Sequence, residues 1–375
     1  MRTRGALLWG SGQPWSVEDI EIGEPRRGEV TVALEAAGLC HSDQHLVTGA
    51  IPSVGFPVLG GHEGAGVITG IGPGVEHLAV GDHVVLSFIP SCGVCPSCQA
   101  GQRNLCDRGA SLLSGASVSD GSFRVQARGQ DVYPTSLLGT FAPYAVVHEM
   151  SVVKIDPTVP LSVACLLGCA VPTGHGAATR SADVRPGDDV AVIGLGGVGM
   201  SAVQGAVSAG ARRVFAIDPH EWKRDQAFKF GATHGYADVG SALAGVFDVT
   251  EGRMATKVIV AHGHVHGEEV DSWLFLTAKG GICVLAALGD LADTDVTASL
   301  ATNILMQKRL QGSLFGGGNP HHDIPQLASM YLAGKLNLDD LVTREYRLDQ
   351  INDGFRDMLE GNVIRGVIRY TDADR

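Results

Sequence analysis

Apolar residues recur along this chain in changing rhythms, and the changes divide it. Up to about residue 85 the runs are short. Val30-Thr31-Val32-Ala33-Leu34 alternates, Val84-Val85-Leu86 is a second strand run, and Gly72-Pro73-Gly74 and Gly81-Asp82 are turn signals. This pattern predicts a small β-rich, barrel-like region. Residues 91–108 crowd four cysteines together. Residues 109–140 are polar and rich in Ser and Gly, which predicts an excursion on the surface. Strand patterning returns over 144–155, in Tyr144-Ala145-Val146-Val147 and Val152-Val153-Lys154-Ile155.

Near residue 172 the character changes. Asp189-Val190-Ala191-Val192-Ile193 is a continuous apolar run of the kind found in a strand buried on both faces. Met200 to Ala209 carries helix formers, and Arg213-Val214-Phe215-Ala216-Ile217-Asp218 is a second strand ending in an acid. Further runs are Lys257-Val258-Ile259-Val260, Gly281-Ile282-Cys283-Val284-Leu285 and Leu310-Gln311-Gly312-Ser313-Leu314. Helical stretches between them predict β-α-β units and a doubly wound parallel sheet. Beyond residue 314, a helix from Ile324 to Leu332 and a strand over Val367-Ile368-Arg369-Tyr370 read as a return to the first region. The expected class is therefore α/β, with one domain from residues 1–171 and 314–375 and a second from 172–313.

Composition narrows the function. A chain of 375 residues with 45% hydrophobic content can bury two cores. A net charge of −12 argues against nucleic acid or an anionic membrane surface as partner. No run of 18 apolar residues appears, and Ala6-Leu7-Leu8-Trp9 is too short for a signal-peptide core. The expectation is a cytoplasmic protein with reduced thiols.

Against that background the cysteines become informative. Cys92, Cys95, Cys98 and Cys106 fall at C-x2-C-x2-C-x7-C, with Gly93 and Pro96 between them for turns. That spacing suits four thiolates on one structural zinc, with no open position; the competing reading is two disulfides. Cys40, His62 and Cys169 form a second set. Two thiolates and an imidazole leave a fourth position open for water or substrate. Zinc there would let an alcohol lose its proton near neutral pH. Ser42 is placed to touch the substrate oxygen, His45 to pass the proton to solvent, and Asp43 to orient His62. Cys165 and Cys283, in apolar runs, are expected to be inert core thiols.

Gly194-Leu195-Gly196-Gly197-Val198-Gly199 follows a strand and opens a helix, and Asp218 ends the next strand 19 residues after Gly199. This is the full context of a dinucleotide fingerprint. Gly194 allows the turn, Gly196 admits the pyrophosphate, Gly199 lets helix and strand pack, and the helix N-terminus holds the phosphates. Asp218 would accept from the adenosine ribose and repel a 2′-phosphate, which favours NAD. Lys223 lies within reach of the same ribose.

Together these residues resemble the zinc-dependent medium-chain alcohol dehydrogenase family over essentially the whole chain. Its signature G-H-E-x2-G-x5-G-x2-V is met by Gly61-His62-Glu63, Gly66, Gly72 and Val75. The resemblance implies a GroES-like β-barrel catalytic domain plus a Rossmann domain, with the catalytic zinc in the cleft between them and two zinc ions per subunit. It implies that Glu63 approaches the metal during ligand exchange and that His41 and Arg365 meet the cofactor pyrophosphate. It also places Thr173 near the nicotinamide and Phe88 in the substrate pocket. The 109–140 excursion resembles the long form of the animal and class III enzymes, which implies a homodimer, with a homotetramer as the other assembly. The chain is also similar to the actinobacterial nicotinoprotein alcohol dehydrogenases, which hold NAD tightly and recycle it with a second substrate.

The expected reaction is hydride transfer from a primary or secondary alcohol to NAD, giving aldehyde or ketone. The alternatives are oxidation of a thiol adduct of formaldehyde, a nicotinoprotein with an external hydride acceptor, and, from another class, a zinc- or redox-sensing binding protein. The run Ala261-His262-Gly263-His264-Val265-His266 departs from the family pattern. It is read as solvated histidines, with a third metal site as the competing reading.

Overall fold

A computed structural model describes residues 1–112 and 114–375. The chain divides into two compact units, Met1–Cys169 with Asn319–Arg375, and Ala170–Gly318.

In the first unit a closed barrel joins Arg2–Leu8, Ser16–Ile22, Val125–Ala127, Gln130–Pro134 and Val58–Leu59. Beside it runs a seven-stranded sheet in the order Val152–Lys154, His83–Leu86, Gly64–Ile71, Glu29–Gly38, Arg365–Arg369, Val342–Tyr346, with Tyr144–His148 also paired to Glu29–Gly38. The alternation expected at residues 30–34 is largely absent. Val30, Thr31, Val32 and Leu34 are all buried, and only Ala33 and Glu35 of the ten-residue strand are half-buried. A strand at the centre of a sheet covered on both faces has no wet side to which polar residues could alternate.

The surface excursion expected at 109–140 is corrected more strongly. Two barrel strands lie inside it, and Val125, Ala127, Val132 and Leu138 are buried. Some of its polar residues also turn inward. Arg124, 6% exposed, makes a two-pronged bond to Glu29, 1% exposed, at 2.7 and 2.8 Å. Asp120 adds a bond to Arg124 at 2.9 Å and one to Arg26 at 2.6 Å. The Ser117 and Ser119 hydroxyls donate to the same Glu29 carboxylate. A composition that looks solvated thus supplies the partners for a buried charge.

The second unit is a six-stranded parallel sheet in the order His234–Tyr236, Arg213–Ile217, Asp189–Ile193, Ala255–Val260, Thr277–Leu285, Arg309–Gly312. Asp189–Ile193 is buried throughout. The helix expected from Met200 begins earlier, at Gly197, because the glycine turn itself opens it, and it ends at Ser208. The late helix spans Pro320–Leu332, with Pro320 in its first turn where a missing N–H costs nothing. Among the described residues no single helix is long and apolar enough to cross a membrane.

The ion pair yields a stability prediction. Arg124→Met leaves the Glu29 carboxylate buried and unpaired, and should cost about 3–5 kcal/mol in urea unfolding. Adding Glu29→Gln should recover part of that loss. A loss under about 1 kcal/mol for the single variant would show the pair to be inert.

Candidate metal centre and dinucleotide site

Cys40 lies just beyond the Glu29–Gly38 strand and caps the short helix His41–Thr48. His62 and Glu63 occupy the turn before the Gly64–Ile71 strand, and Gly61 supplies that turn with φ +89°. Cys169 follows the helical turn Cys165–Gly168. Three separate segments therefore converge. One ligand atom each from Cys40, His62, Glu63 and Cys169 lies within 4.8 Å of every other, and all four residues are buried.

The surroundings aim these groups. Asp43, fully buried, accepts from the Gly61 N–H at 3.0 Å and lies 3.2–3.3 Å from His62 Nδ1. That leaves Nε2 as the ring nitrogen for a metal. Glu63 Oε2 pairs with Arg365, while Glu63 Oε1 is buried without a partner. A Cβ on Gly38 would strike the Glu63 carboxylate at 2.1 Å, so only glycine fits beneath it. The Phe88 ring stands edge-on to His62 at 5.8 Å. Ser42 Oγ is 3.7 Å from Cys40 Sγ, and His45, three positions on along the same helix, is buried. His41, half-buried, opens that helix.

The ionisable groups at this point shift one another, and a metal would have to displace protons from His62 and Cys169. A hydrogen bond from Cys169 holds the Cys40 thiol well below its ordinary value, and the same bond pushes Cys169 well above. Burial works against charge on His62, yet Asp43 and Cys40 hold it well above the imidazole range. Burial, opposed by Arg365, lifts Glu63 to about 7. Two crowded sulfurs, an imidazole and an unmet carboxylate oxygen fit the donor chemistry of zinc.

Cys92, Cys95, Cys98 and Cys106 bring their sulfurs within 4.8 Å of one another. The N–H groups of Cys92, Cys95 and Asp107 point at the sulfurs of Cys106, Cys92 and Cys95, each at 3.4 Å. Such bonds favour thiolates, and all eight cysteines are free, so the two-disulfide alternative is not the one formed. Cys165 and Cys283 are fully buried, and burial pushes the Cys283 thiol up to about 12.

In the second unit Gly194 turns with φ +89°, and a Cβ there would meet the His262 backbone at 2.6 Å. A Cβ on Gly199 would sit 1.7 Å from the Gly194 carbonyl oxygen. Around Gly196 there is open space, and Gly196 caps the helix that begins Gly197-Val198-Gly199. This is the cradle a pyrophosphate needs. Asp218, 6% exposed, accepts from the Leu195 N–H at 2.8 Å and from the His220 N–H at 2.9 Å. Lys223 is buried nearby, and burial lowers its pKa against the pull of Asp218. Thr173 Oγ1 is buried with no partner, so a bound group could satisfy it.

Comparison with known proteins identifies the family. Residues 26–157 match the alcohol dehydrogenase GroES-like domain, and residues 197–333 match the zinc-binding dehydrogenase domain. The chain is 69% identical to alcohol dehydrogenase B of Mycobacterium tuberculosis over the full length of both. It is 44% identical to the NDMA-dependent alcohol dehydrogenase of Amycolatopsis methanolica, covering 99% of this chain and 100% of that one. Among solved structures, benzyl alcohol dehydrogenase from Acinetobacter calcoaceticus superposes with a TM-score of 0.91 at 29% identity, covering 99% and 100%. The chain belongs to the zinc-dependent alcohol dehydrogenase family. It is an oxidoreductase with zinc and NAD as cofactors.

Some residues of this alcohol dehydrogenase centre carried no local signal. Thr140 donates to the Glu63 carbonyl at 3.2 Å and takes the Gly61 carbonyl through its own N–H at 3.0 Å. Tyr370 in turn donates to the Thr140 carbonyl. These partners are 77 and 230 residues apart, and no motif spans such distances. The Glu63–Arg365 pair, 302 residues apart, was equally invisible. The histidine run does not form a third centre. Among the described residues only the two cysteine-containing groups gather three or more metal donors.

Cys169→Ala should release one of two zinc ions per subunit, counted by mass spectrometry, and abolish alcohol oxidation while far-UV circular dichroism is kept. Retention of both ions would show that Cys169 is not a ligand.

Proposed function

We propose that this alcohol dehydrogenase oxidises a primary alcohol with an NAD that stays bound between turnovers, an external acceptor then removing the hydride. The convergence of Cys40, His62 and Cys169 beside an unmet Glu63 oxygen carries the alcohol chemistry. NAD retention is supported by the relative named NDMA-dependent and by the nicotinoprotein resemblance.

Cys40, His62 and Cys169 hold the catalytic zinc, and Cys92, Cys95, Cys98 and Cys106 hold the structural one. When bound, zinc acidifies the alcohol and NAD accepts the hydride. Ser42 takes the hydroxyl proton and passes it towards His45, which delivers it to solvent. Asp43 fixes the His62 ring, and the unmet Glu63 oxygen stands where it would approach a bound metal, as the resemblance implies. Phe88 lines the alcohol pocket. Asp218 and Lys223 meet the adenosine ribose, Gly194, Gly196, Gly197, Val198 and Gly199 cradle the phosphates, and Thr173 gives its unmet hydroxyl to the nicotinamide end. His41 and Arg365 are assigned to the phosphates by the resemblance alone.

The protein is read as cytoplasmic and homodimeric. Support for the dimer is the exposed apolar face of the second unit, where Leu300, Ile304 and Leu305 are 74–79% exposed beside the edge strand Arg309–Gly312. Sedimentation at a monomer mass would remove that assignment.

Purified protein given a medium-chain primary alcohol and excess free NAD should form about one bound NADH per subunit and then stop until an acceptor is added. A sustained rate without acceptor would mean that the cofactor exchanges. Asp218→Gly should narrow the preference for NAD over NADP by at least about tenfold, and it should weaken both cofactors because Leu195 loses its anchor. An unchanged preference would argue against the ribose contact.

A further inference from the structure

The histidine run is a sequence feature that neither the metal centres nor the glycine fingerprint uses, and the structure places it beside the Gly194 turn. The sheet order reverses between Asp189–Ile193 and Ala255–Val260, and in such sheets a dinucleotide would bind across the crevice at that point. Asp218 stands on the adenosine side, at the end of Arg213–Ile217. His262 stands on the other side, two residues beyond the end of Ala255–Val260. Its backbone is the surface against which the Gly194 turn closes.

The run after that strand is tied down at several points. The Ala261 N–H donates to the Ile193 carbonyl at 2.7 Å, and the Val265 N–H to the Leu288 carbonyl at 3.1 Å. The His266 N–H donates to Glu269 at 2.9 Å. The His262 ring bonds to the His264 backbone and packs edge-on against Trp273 at 5.7 Å, a side chain 1% exposed. Its Nε2 is buried and lacks a hydrogen-bond partner, with the Glu269 carboxylate 3.8 Å away. That gap is too long for a hydrogen bond.

We infer that His262 is a positioning residue for the nicotinamide-ribose half of bound NAD, pinning loop 262–269 against the Gly194 turn through its ring contacts with the His264 backbone and Trp273. A loop held there confines the half of the dinucleotide that runs past the pyrophosphate. The inference goes further than cofactor retention but uses it as the setting in which a confining loop matters.

The test compares wild type, His262→Ala and His262→Asn after charcoal removal of bound nucleotide, with calorimetric binding of NAD, ADP-ribose and AMP. AMP carries only the adenosine half. His262→Ala should weaken NAD and ADP-ribose by about tenfold or more and leave AMP within about twofold. His262→Asn, which keeps a hydrogen-bonding side chain, should recover most of the loss. Unchanged NAD binding in His262→Ala overturns the inference, and so does an equal loss for AMP, which would mean general damage to the unit. Gel filtration of untreated wild type, with NAD counted per subunit, judges retention separately. Its failure would sink the retained-cofactor proposal while the three-ligand comparison still decides His262.

Discussion

The constraint on which this molecule turns is the burial of ionisable groups at one point. Cys40, His62, Glu63 and Cys169 are each no more than 7% exposed and share a space of a few ångströms. Buried charge is costly unless it is paired or bound to a metal. The surrounding residues answer that cost in pieces: Asp43 takes the imidazole N–H, Arg365 takes one Glu63 oxygen, and Gly38 gives the carboxylate room. The remainder is an unmet oxygen and two thiols that share one hydrogen bond. A divalent cation would complete such a set, and the same cation would make the site reactive towards an alcohol.

The dinucleotide unit follows the opposite logic. It is shaped by the absence of side chains. Gly194 and Gly199 are packed so closely that a methyl group would overlap backbone, while Gly196 faces open space. Asp218 contributes twice. Its carboxylate anchors the Leu195 amide of the glycine turn, and it follows the strand beside that turn. Under the proposed ribose contact it would serve both selectivity and the turn's structure, so substitutions there would change affinity and selectivity together.

Burial also explains the largest departure from expectation. A stretch rich in Ser, Asp and Arg looks solvated when its neighbours are unknown. In the fold, Ser117, Ser119, Asp120 and Arg124 surround Glu29, about ninety positions earlier in the chain. Two barrel strands are hidden in the same stretch, because three to five residues between turns are too few to show a period.

Features with short-range causes were legible in the amino-acid order alone. Cysteine spacing, the Gly61-His62-Glu63 turn, the strand–glycine–helix sequence and the continuous apolar parallel strands each reflect chemistry completed within about twenty residues. From these the α/β class, zinc and NAD could be inferred, and the family resemblance they carry implied the GroES-like and Rossmann pairing. Tertiary structure alone decided which distant groups meet. It brought Arg365 and Thr140 to Glu63, Glu29 to Arg124, and His262 to the Gly194 turn. The reason is physical. A buried polar group must find a partner, but nothing in its local sequence specifies where along the chain that partner lies.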